Sequence, residues 1–390
     1  MRNAATPPER VRLKQGTHLD DLLALGSGDL SLTRAVVSLG AICRNARALH
    51  AKAGGADLMA VVKADAYGHG AARVSRALQE DGVGAFAVAT AAEGVRLRAA
   101  GIEGRILVFG PPLAEWLPAY RTHRLEATVV SLDAARMMAT HAEPRETLRV
   151  HLKVDTGMHR YGVAPEQAAQ AVAALHAPGL ELAGVMTHYA TADEPESVYT
   201  NEQAERFAWV RSLIPDVPAH AQNSDALIRG QGSAEGAQWV RTGVALYGLL
   251  SREEQTIFGV EEAMQFSTRV TQVRDLPAGE GVSYTLSWHS TVQTRIATIG
   301  AGYADGVPRL LTNRGEIGLS GRRVPIRGNV CMDAFIVEVG PTSDVKEGDE
   351  AILMGRGGPS AQEVAVWADT ISYEIACRVG QRVARVWAED

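Results

Sequence analysis

Residues 58–70 read LMAVVKADAYGHG. Five apolar residues run unbroken into Lys63, and Asp65, Tyr67 and a Gly68-His69-Gly70 turn follow. A short run that is apolar on both faces reads as a strand buried in a parallel sheet. The same texture recurs in AFAVA (85–89), RILVFG (105–110), LEATVV (125–130), LRVHLKV (148–154), LELAGVMT (180–187), VPAHA (217–221) and WVRTGVALYG (239–248). Amphipathic stretches such as ARVSRALQED, PEQAAQAVAALHA and NEQAERFAWVRSLI lie between these runs. Eight strand-plus-helix units in roughly 200 residues fit a (β/α)8 TIM-type barrel. A doubly wound open sheet is the competing arrangement, and counting alone leaves it open.

Upstream of this rhythm, TRAVVSL (33–39) is β-branched and reads as a strand, and GAICRNARALHAKAG after it reads as a helix ending on glycines. Downstream of about Gly259 the texture changes to short alternating runs divided by glycine turns: STRVTQVRDL, TRIATIG, RVPIRG, AFIVEVG and EAILMGRGG. That pattern is β-rich. The expected organisation is a polar arm at 1–30, a barrel domain at 31–258 and a mostly β C-terminal domain at 259–390. The first strand, near 33–39, is free to join the β domain.

Composition narrows the function classes. The 390 residues carry a formal charge of −6, with no basic excess to attract nucleic acid or an anionic membrane. No run of 18 apolar residues and no apolar stretch of signal-peptide length occurs, so a soluble cytoplasmic chain is expected. Cys43, Cys331 and Cys377 cannot all pair and are expected to be small buried hydrophobes in a reducing compartment. No metal-spaced His/Cys cluster, P-loop, GxSxG or HExxH is present.

Several segments concentrate reactive side chains where predicted strands end, which is where barrels place chemistry. Lys63 emerges from a buried strand; desolvated there it becomes a base or a Schiff-base amine, or it snorkels to water. HLKVDTGMHRYG (151–162) gathers Lys153, Asp155, His159 and Arg160, as an anion site or a solvated ion-pair loop would. THYATADE sets His188 and Asp193 after the next strand, and a lone histidine there is by default a structurally satisfied one. AHAQNSDAL puts Asn223 and Ser224 at a strand-to-helix junction, suited to a phosphate or, more commonly, to a simple N-cap. Arg241 sits inside an otherwise apolar strand and must be paired or face a polar cavity. In the second domain, GEGVSYTLSW carries Tyr284, and GAGYADGVPR carries Tyr303 and Arg309.

Taken in order from about Thr33 to Val386, these segments resemble the alanine racemase family, with AVVKADAYGHG similar to its cofactor-lysine motif. The resemblance implies a pyridoxal 5'-phosphate enzyme with an N-terminal barrel and a C-terminal β domain. It implies interconversion of L- and D-alanine by two bases, in the cytoplasm, supplying D-alanine for peptidoglycan. Lys63 would hold the cofactor covalently and act as one base, and Tyr284 would be the other. Tyr67, Asn223, Ser224, Gly243, Val244 and Tyr373 would bind the phosphate. Arg241 would face the pyridine nitrogen with His188 bonded behind it. Arg160 would reach the cofactor's phenolic oxygen or the substrate, oriented by a carbamylated Lys153. Met332 and Asp333 would line the substrate side, and Asp193, Tyr303 and Arg309 would belong to an entrance corridor. Tyr284 would come from a second copy, so the implied active form is a head-to-tail homodimer, with a small amino acid as substrate and neither nucleic acid nor membrane as partner.

These residue types suit the chemistry. An α-carbanion is poorly stabilised in water, and the cofactor's conjugated system takes up its charge while the protein supplies placement and bases. Inversion needs a proton to leave one face and another to arrive on the opposite face. A tyrosine, with an unperturbed pKa near 10, needs nearby positive charge to take part. Arg241 stays protonated and has no proton to share with the ring nitrogen, which limits delocalisation into the ring. Two positions depart from the family pattern: Thr285 replaces the usual glycine after the catalytic tyrosine, and Tyr161 replaces leucine after Arg160. Both bear on substrate preference. A serine or broader-specificity racemase is therefore the alternative reading; a non-catalytic cofactor carrier is disfavoured by the second domain.

Overall fold

The computed structural model describes residues 31–194, 196–232 and 236–389. The arm expected at 1–30 lies outside the described residues. Strand β1 (Arg34–Ser38) is the first element among the described residues. The helix Leu39–Ala51 begins at once, because the Ser38 hydroxyl accepts from the Ala41 N–H and caps it. The strand thus stops one residue earlier than the sequence pattern suggests.

Eight parallel strands come next: β2 (Asp57–Val61), β3 (Ala85–Val88), β4 (Arg105–Val108), β5 (Glu126–Val129), β6 (Leu148–Lys153), β7 (Leu180–Met186), β8 (Ala219–His220) and β9 (Trp239–Thr242). They are the eight runs read from the sequence. Each pairs with its successor from β2 to β8, and β9 returns to pair with β2. Between β8 and β9 the closure is thinner: a parallel bridge Ala219–Ala237, with Gln238 and Arg241 amides donating to the Ala219 and Gln222 carbonyls. The fold is a near-closed (β/α)8 barrel, not an open sheet. Strand β8 is shorter than VPAHA because Pro218 has no N–H to contribute to a ladder.

The second domain is mostly β. Strand β10 (Met264–Leu276) is 13 residues long and serves several neighbours. After a small pair, β11 (Gly281–Val282) and β12 (Trp288–His289), come β13 (Thr294–Ile299), β14 (Glu316–Leu319), β15 (Arg322–Arg327), β16 (Phe335–Glu338), β17 (Glu350–Met354) and β18 (Ala384–Ala388). The sheet order is β13-β16-β15-β14-β17-β10-β1-β18, and β10 pairs with β13 as well, which closes six of these strands into a ring. Strand β1 lies antiparallel to β10 and parallel to β18, so the first strand of the chain belongs to the last sheet.

Two attachments fix the second domain against the barrel mouth. The Trp387 indole donates to the His69 carbonyl at 2.9 Å, just beyond the Lys63 segment. Ser372, which opens the helix Ser372–Arg378, donates to the Leu249 carbonyl at 2.7 Å and seats that helix over the cavity. Between the domains, the buried Asn45 amide donates to the Leu246 and Glu261 carbonyls at 3.0 and 2.8 Å and accepts from the Glu261 N–H at 2.8 Å. Asn45→Ala strands three backbone groups, each costing about 1 kcal/mol or more, so a loss of about 2–4 kcal/mol is expected. The urea midpoint at fixed protein concentration is the measurement that checks it.

Candidate active site

The chain leaves β2 into a turn of unusual hand. Ala64, Asp65, Ala66 and Tyr67 all have φ between 52° and 55°, so four consecutive non-glycine residues are left-handed. Such backbone costs about 1–2 kcal/mol per residue, and it persists here because its surroundings pin it. Glu93 accepts from the Ala64 N–H at 2.7 Å and Asp65 from the Ala71 N–H at 2.7 Å. The turn points Lys63 and Tyr67 into one cavity of about 750 Å³ at the C-terminal end of the barrel strands.

Lys153, Arg160, Tyr161, His188, Asp193, Asn223, Ser224, Arg241, Gly243, Val244 and Tyr373 line the same cavity. Arg241 is buried and spends its two terminal nitrogens fully. Nη1 donates to the His220 carbonyl and Nδ1 at 2.8 and 3.1 Å; Nη2 donates to the Thr187 and Ala221 carbonyls, both at 2.7 Å, and reaches His188 Nδ1 at 3.3 Å. Burial lowers this guanidinium to about 10, which leaves it charged at neutral pH.

Four cationic side chains line the cavity, alongside the carboxyl groups of Asp193, Asp225 and Glu374. Lys63, Lys153, Arg160 and Arg241 converge on one space. Burial, followed by repulsion from Arg160, pulls the Lys63 amine down from the ordinary lysine range. Burial, then Arg241 and Arg160, bring Lys153 to about 8. Burial and Arg241 push His188 well below the usual imidazole range, so it is neutral. A site with this charge favours an anionic ligand.

At one pole of the cavity, Asn223 caps its short helix by accepting from the Ala226 N–H at 2.9 Å. Ser224 Oγ accepts from the Gly243 and Ala245 amides at 2.9 and 3.3 Å. The Tyr67 and Tyr373 rings meet edge-on at 6.4 Å between centroids, and burial raises both phenols, Tyr373 to about 12. A Cβ on Gly243 would lie 2.5 Å from the Tyr67 hydroxyl, so only glycine lets that phenol approach the strand end.

The remaining candidate residues lie elsewhere. Tyr284, Tyr303, Arg309, Met332 and Asp333 do not line this cavity in their own chain. Tyr284 is 73% exposed, in a turn where Ser283, Thr285 and Leu286 also have positive φ, and the Asn329 amide donates to its carbonyl at 2.6 Å. Ser283 lies 3.4 Å from Cys331, which brings Tyr284 beside the loop that carries Met332 and Asp333. Tyr303 joins them through its N–H to the Cys331 carbonyl, and Arg382 bonds both Asp305 and Asp333. The site candidates therefore fall into two groups, a cation-rich cavity and an exposed tyrosine-bearing rim.

Two family models match the chain consecutively: "Alanine racemase, N-terminal domain" over residues 37–251 and "Alanine racemase, C-terminal domain" over 263–387. The chain belongs to the alanine racemase family. It is an enzyme, an isomerase of the amino-acid class that this family defines. It is 41% identical over 369 residues to the alanine racemase of Chlorobaculum tepidum, covering 91% of this chain and 95% of that one. Among solved structures it resembles the alanine racemase of D-cycloserine-producing Streptomyces lavendulae, with a TM-score of 0.83 and 36% identity over 92% of this chain and 97% of that one. It also resembles the alanine racemase of Bacillus anthracis with bound L-Ala-P, with a TM-score of 0.83 and 33% identity over 92% and 95% of the two chains.

Against this racemase framework, three features escape the sequence reading. Arg241 has a second imidazole partner, His220, and behind it stand His151 and Glu126, all buried in the barrel. Their signal was an ionisable side chain set within each of three largely apolar runs. Cys377 is not buried as expected; it is exposed on the docking helix and lines the cavity near Lys63. Arg382 clamps the rim loops from the far end of the chain. Among the described residues no helix is long and apolar enough to cross a membrane.

Because Arg160 is the principal charge depressing Lys63 and, after Arg241, depresses Lys153 as well, Arg160→Gln is expected to raise the titration midpoints of both amines. The pH dependence of reductive methylation at each amine, followed by NMR of cofactor-free protein, checks this.

Proposed function

We propose that the chain interconverts L- and D-alanine with pyridoxal 5'-phosphate, in a head-to-tail homodimer in which Lys63 and Tyr284 act on opposite faces of the substrate α-carbon. The observation that carries the reading is the pairing of a desolvated Lys63, whose ammonium form burial and Arg160 disfavour, with a fully anchored Arg241 across one cavity. When bound, the cofactor supplies a conjugated electron sink for the charge left by the departing α-proton.

The residues present fit such a group. Space left open by Gly243, the Tyr67 and Tyr373 phenols, and the Ser224–Gly243–Ala245 cluster with Asn223 and Val244 suit a phosphate. Arg241 suits the pyridine nitrogen as a fixed cation, and His188, held neutral by burial and Arg241, backs it. Lys63, desolvated and repelled by Arg160, is poised to release and recover a proton at Nζ. Arg160 offers a guanidinium to the substrate carboxylate or to the cofactor's phenolic oxygen.

Tyr284 needs a second subunit. It is exposed with Leu286, Tyr303 and Met332 around it, an apolar rim that water alone does not favour. Docked over a partner's cavity, its phenol would enter a cation-rich field that eases proton loss, with Met332 and Asp333 on the substrate side and Tyr303, Arg309 and Asp193 along the entrance. A cytoplasmic location and a role in supplying D-alanine for peptidoglycan accord with this activity. Tyr161, which lines the cavity and is 47% exposed, is the position to vary when alanine is compared with serine.

The test is L-alanine in deuterated water, with L-serine in parallel. The parent protein is expected to exchange the α-proton and invert the centre, with alanine preferred. Tyr284→Phe is expected to abolish inversion in both directions while α-proton exchange survives in the one enantiomer whose α-hydrogen faces Lys63, and activity per chain is expected to fall with the dimer fraction on dilution. A parent protein that neither exchanges nor inverts alanine, or a fully active monomer, would overturn the proposal.

Lys153 supports one further expectation. An amine that sheds its proton near pH 8 adds carbon dioxide: an N–C bond forms, one proton leaves, and a cation becomes an anion between Arg241 and Arg160. Protein equilibrated with 13C-bicarbonate is expected to show one carbamate carbon resonance that Lys153→Gln lacks.

A further inference from the structure

The barrel interior contains a line of hydrogen bonds that starts at Arg241 and runs away from the cavity. His220 Nδ1 accepts from Arg241 Nη1 at 3.1 Å. His220 Nε2 meets His151 Nδ1 at 2.9 Å, and His151 Nε2 meets Glu126 Oε2 at 2.8 Å. Glu126 Oε1 accepts from Arg105 Nε at 2.8 Å. The members come from β9, β8, β6, β5 and β4. Strand β7 contributes none, and its absence is what makes the line continuous. Its residue at the crossing is Gly184, where a Cβ would lie 2.5 Å from His151 Nδ1 and 3.4 Å from His220 Nε2. The β6–β7 register also shifts between Val150 and His151, a bulge that sets His151 opposite Gly184.

The donors and acceptors along this line admit one order. Burial alone would raise Glu126, but the bonds from His151 and Arg105 outweigh it and hold the carboxyl ionised. A carboxylate only accepts, so His151 carries its proton on Nε2. Arg241 only donates, so His220 accepts at Nδ1 and carries its proton on Nε2, and His151 accepts that proton's hydrogen bond at Nδ1. The reverse tautomer of His220 would set N–H against N–H at Arg241. The charged groups that face His220 are Arg241, Arg105 and Lys153, with His151 beside it; all three cations disfavour a second proton on its ring. The Trp239 ring packs against both imidazoles at 5.6 and 5.9 Å, under the Arg105 guanidinium at 4.6 Å.

We infer that Glu126, His151 and His220 are positioning residues: a proton-ordered ladder through the barrel that fixes His220 as an acceptor and so holds Arg241 cationic and in place at the cavity. The role toward Arg241 rests on the racemase reading above; the proton order does not.

The test uses full-length, cofactor-loaded protein with 15N-labelled histidine. In both imidazoles the proton is expected on Nε2 with Nδ1 bare, their signals assigned by loss in His151→Gln and His220→Gln. An imidazolium or an Nδ1–H tautomer at either ring overturns the ladder, and this holds whether or not the variants fold. The second readout is kinetic. His151→Leu leaves the His220 N–H without an acceptor, and kcat is expected to fall by about 10-fold or more with KM for alanine changed by less than about 2-fold. His151→Gln, whose amide accepts from His220 and donates to Glu126, is expected to recover most of that loss. Equal loss in both variants, or none in a folded His151→Leu protein, overturns the role. A parent protein inert toward alanine counts against the racemase reading alone, since the imidazole spectrum still decides the ladder.

Discussion

A guanidinium buried at the centre of a barrel must have its charge and its N–H groups answered, because an isolated buried cation costs many kcal/mol. Arg241 meets that demand with carbonyls that strand pairing does not use. Thr187 lies just past the end of β7, and His220 and Ala221 lie at and just past the end of β8, where backbone oxygens turn inward. The thin closure between β8 and β9 belongs to the same arrangement. A longer β8 would pair the carbonyls that Arg241 needs. The weakest seam of the barrel and its most constrained side chain are therefore one feature, and the cavity is organised around it.

The second constraint is the left-handed turn from Ala64 to Tyr67. Its backbone is uphill by several kcal/mol at about 1–2 kcal/mol per residue, and local hydrogen bonds alone do not offset that. The C-terminal domain contributes the rest, through Trp387 on the His69 carbonyl and the helix Ser372–Arg378 seated over the cavity. Strand β1 ties the two domains further, since it begins the barrel half of the chain yet pairs with β10 and β18. The lysine is thus presented by a strained segment that the second domain holds in place, a common way to pre-organise a reactive group.

Charge is divided between the two groups of residues. The cavity concentrates four cationic side chains and keeps its nearest histidine neutral, while the rim carries phenols, a methionine and a carboxylate clamped by Arg382. Neither group is complete as an acid–base pair by itself. An amine whose proton is destabilised and a phenol that needs positive surroundings are complementary in sign, which is the electrostatic argument for bringing two copies of the chain together.

The sequence by itself determined a parallel sheet covered by helices, because eight short runs apolar on both faces have no other stable home; the return of β9 to pair with β2, which makes it a barrel, was decided by the tertiary structure. It also determined the alternating β texture after Gly259, and it picked out Lys63, Lys153 and Arg160 as charges placed where strands end and Arg241 as a charge inside an apolar strand. Tertiary structure decided what local pattern does not encode. The left hand of the Ala64–Tyr67 turn contradicts the intrinsic preference of each residue in it and is imposed by packing. The early end of β1 and the shortness of β8 depend on a cap and on a proline's missing donor. The ladder of Glu126, His151 and His220 was visible only as ionisable residues within largely apolar strands. Their meeting across β7 depends on Gly184 and a one-residue register shift, because hydrogen bonds between strands far apart in sequence are fixed by register and not by composition.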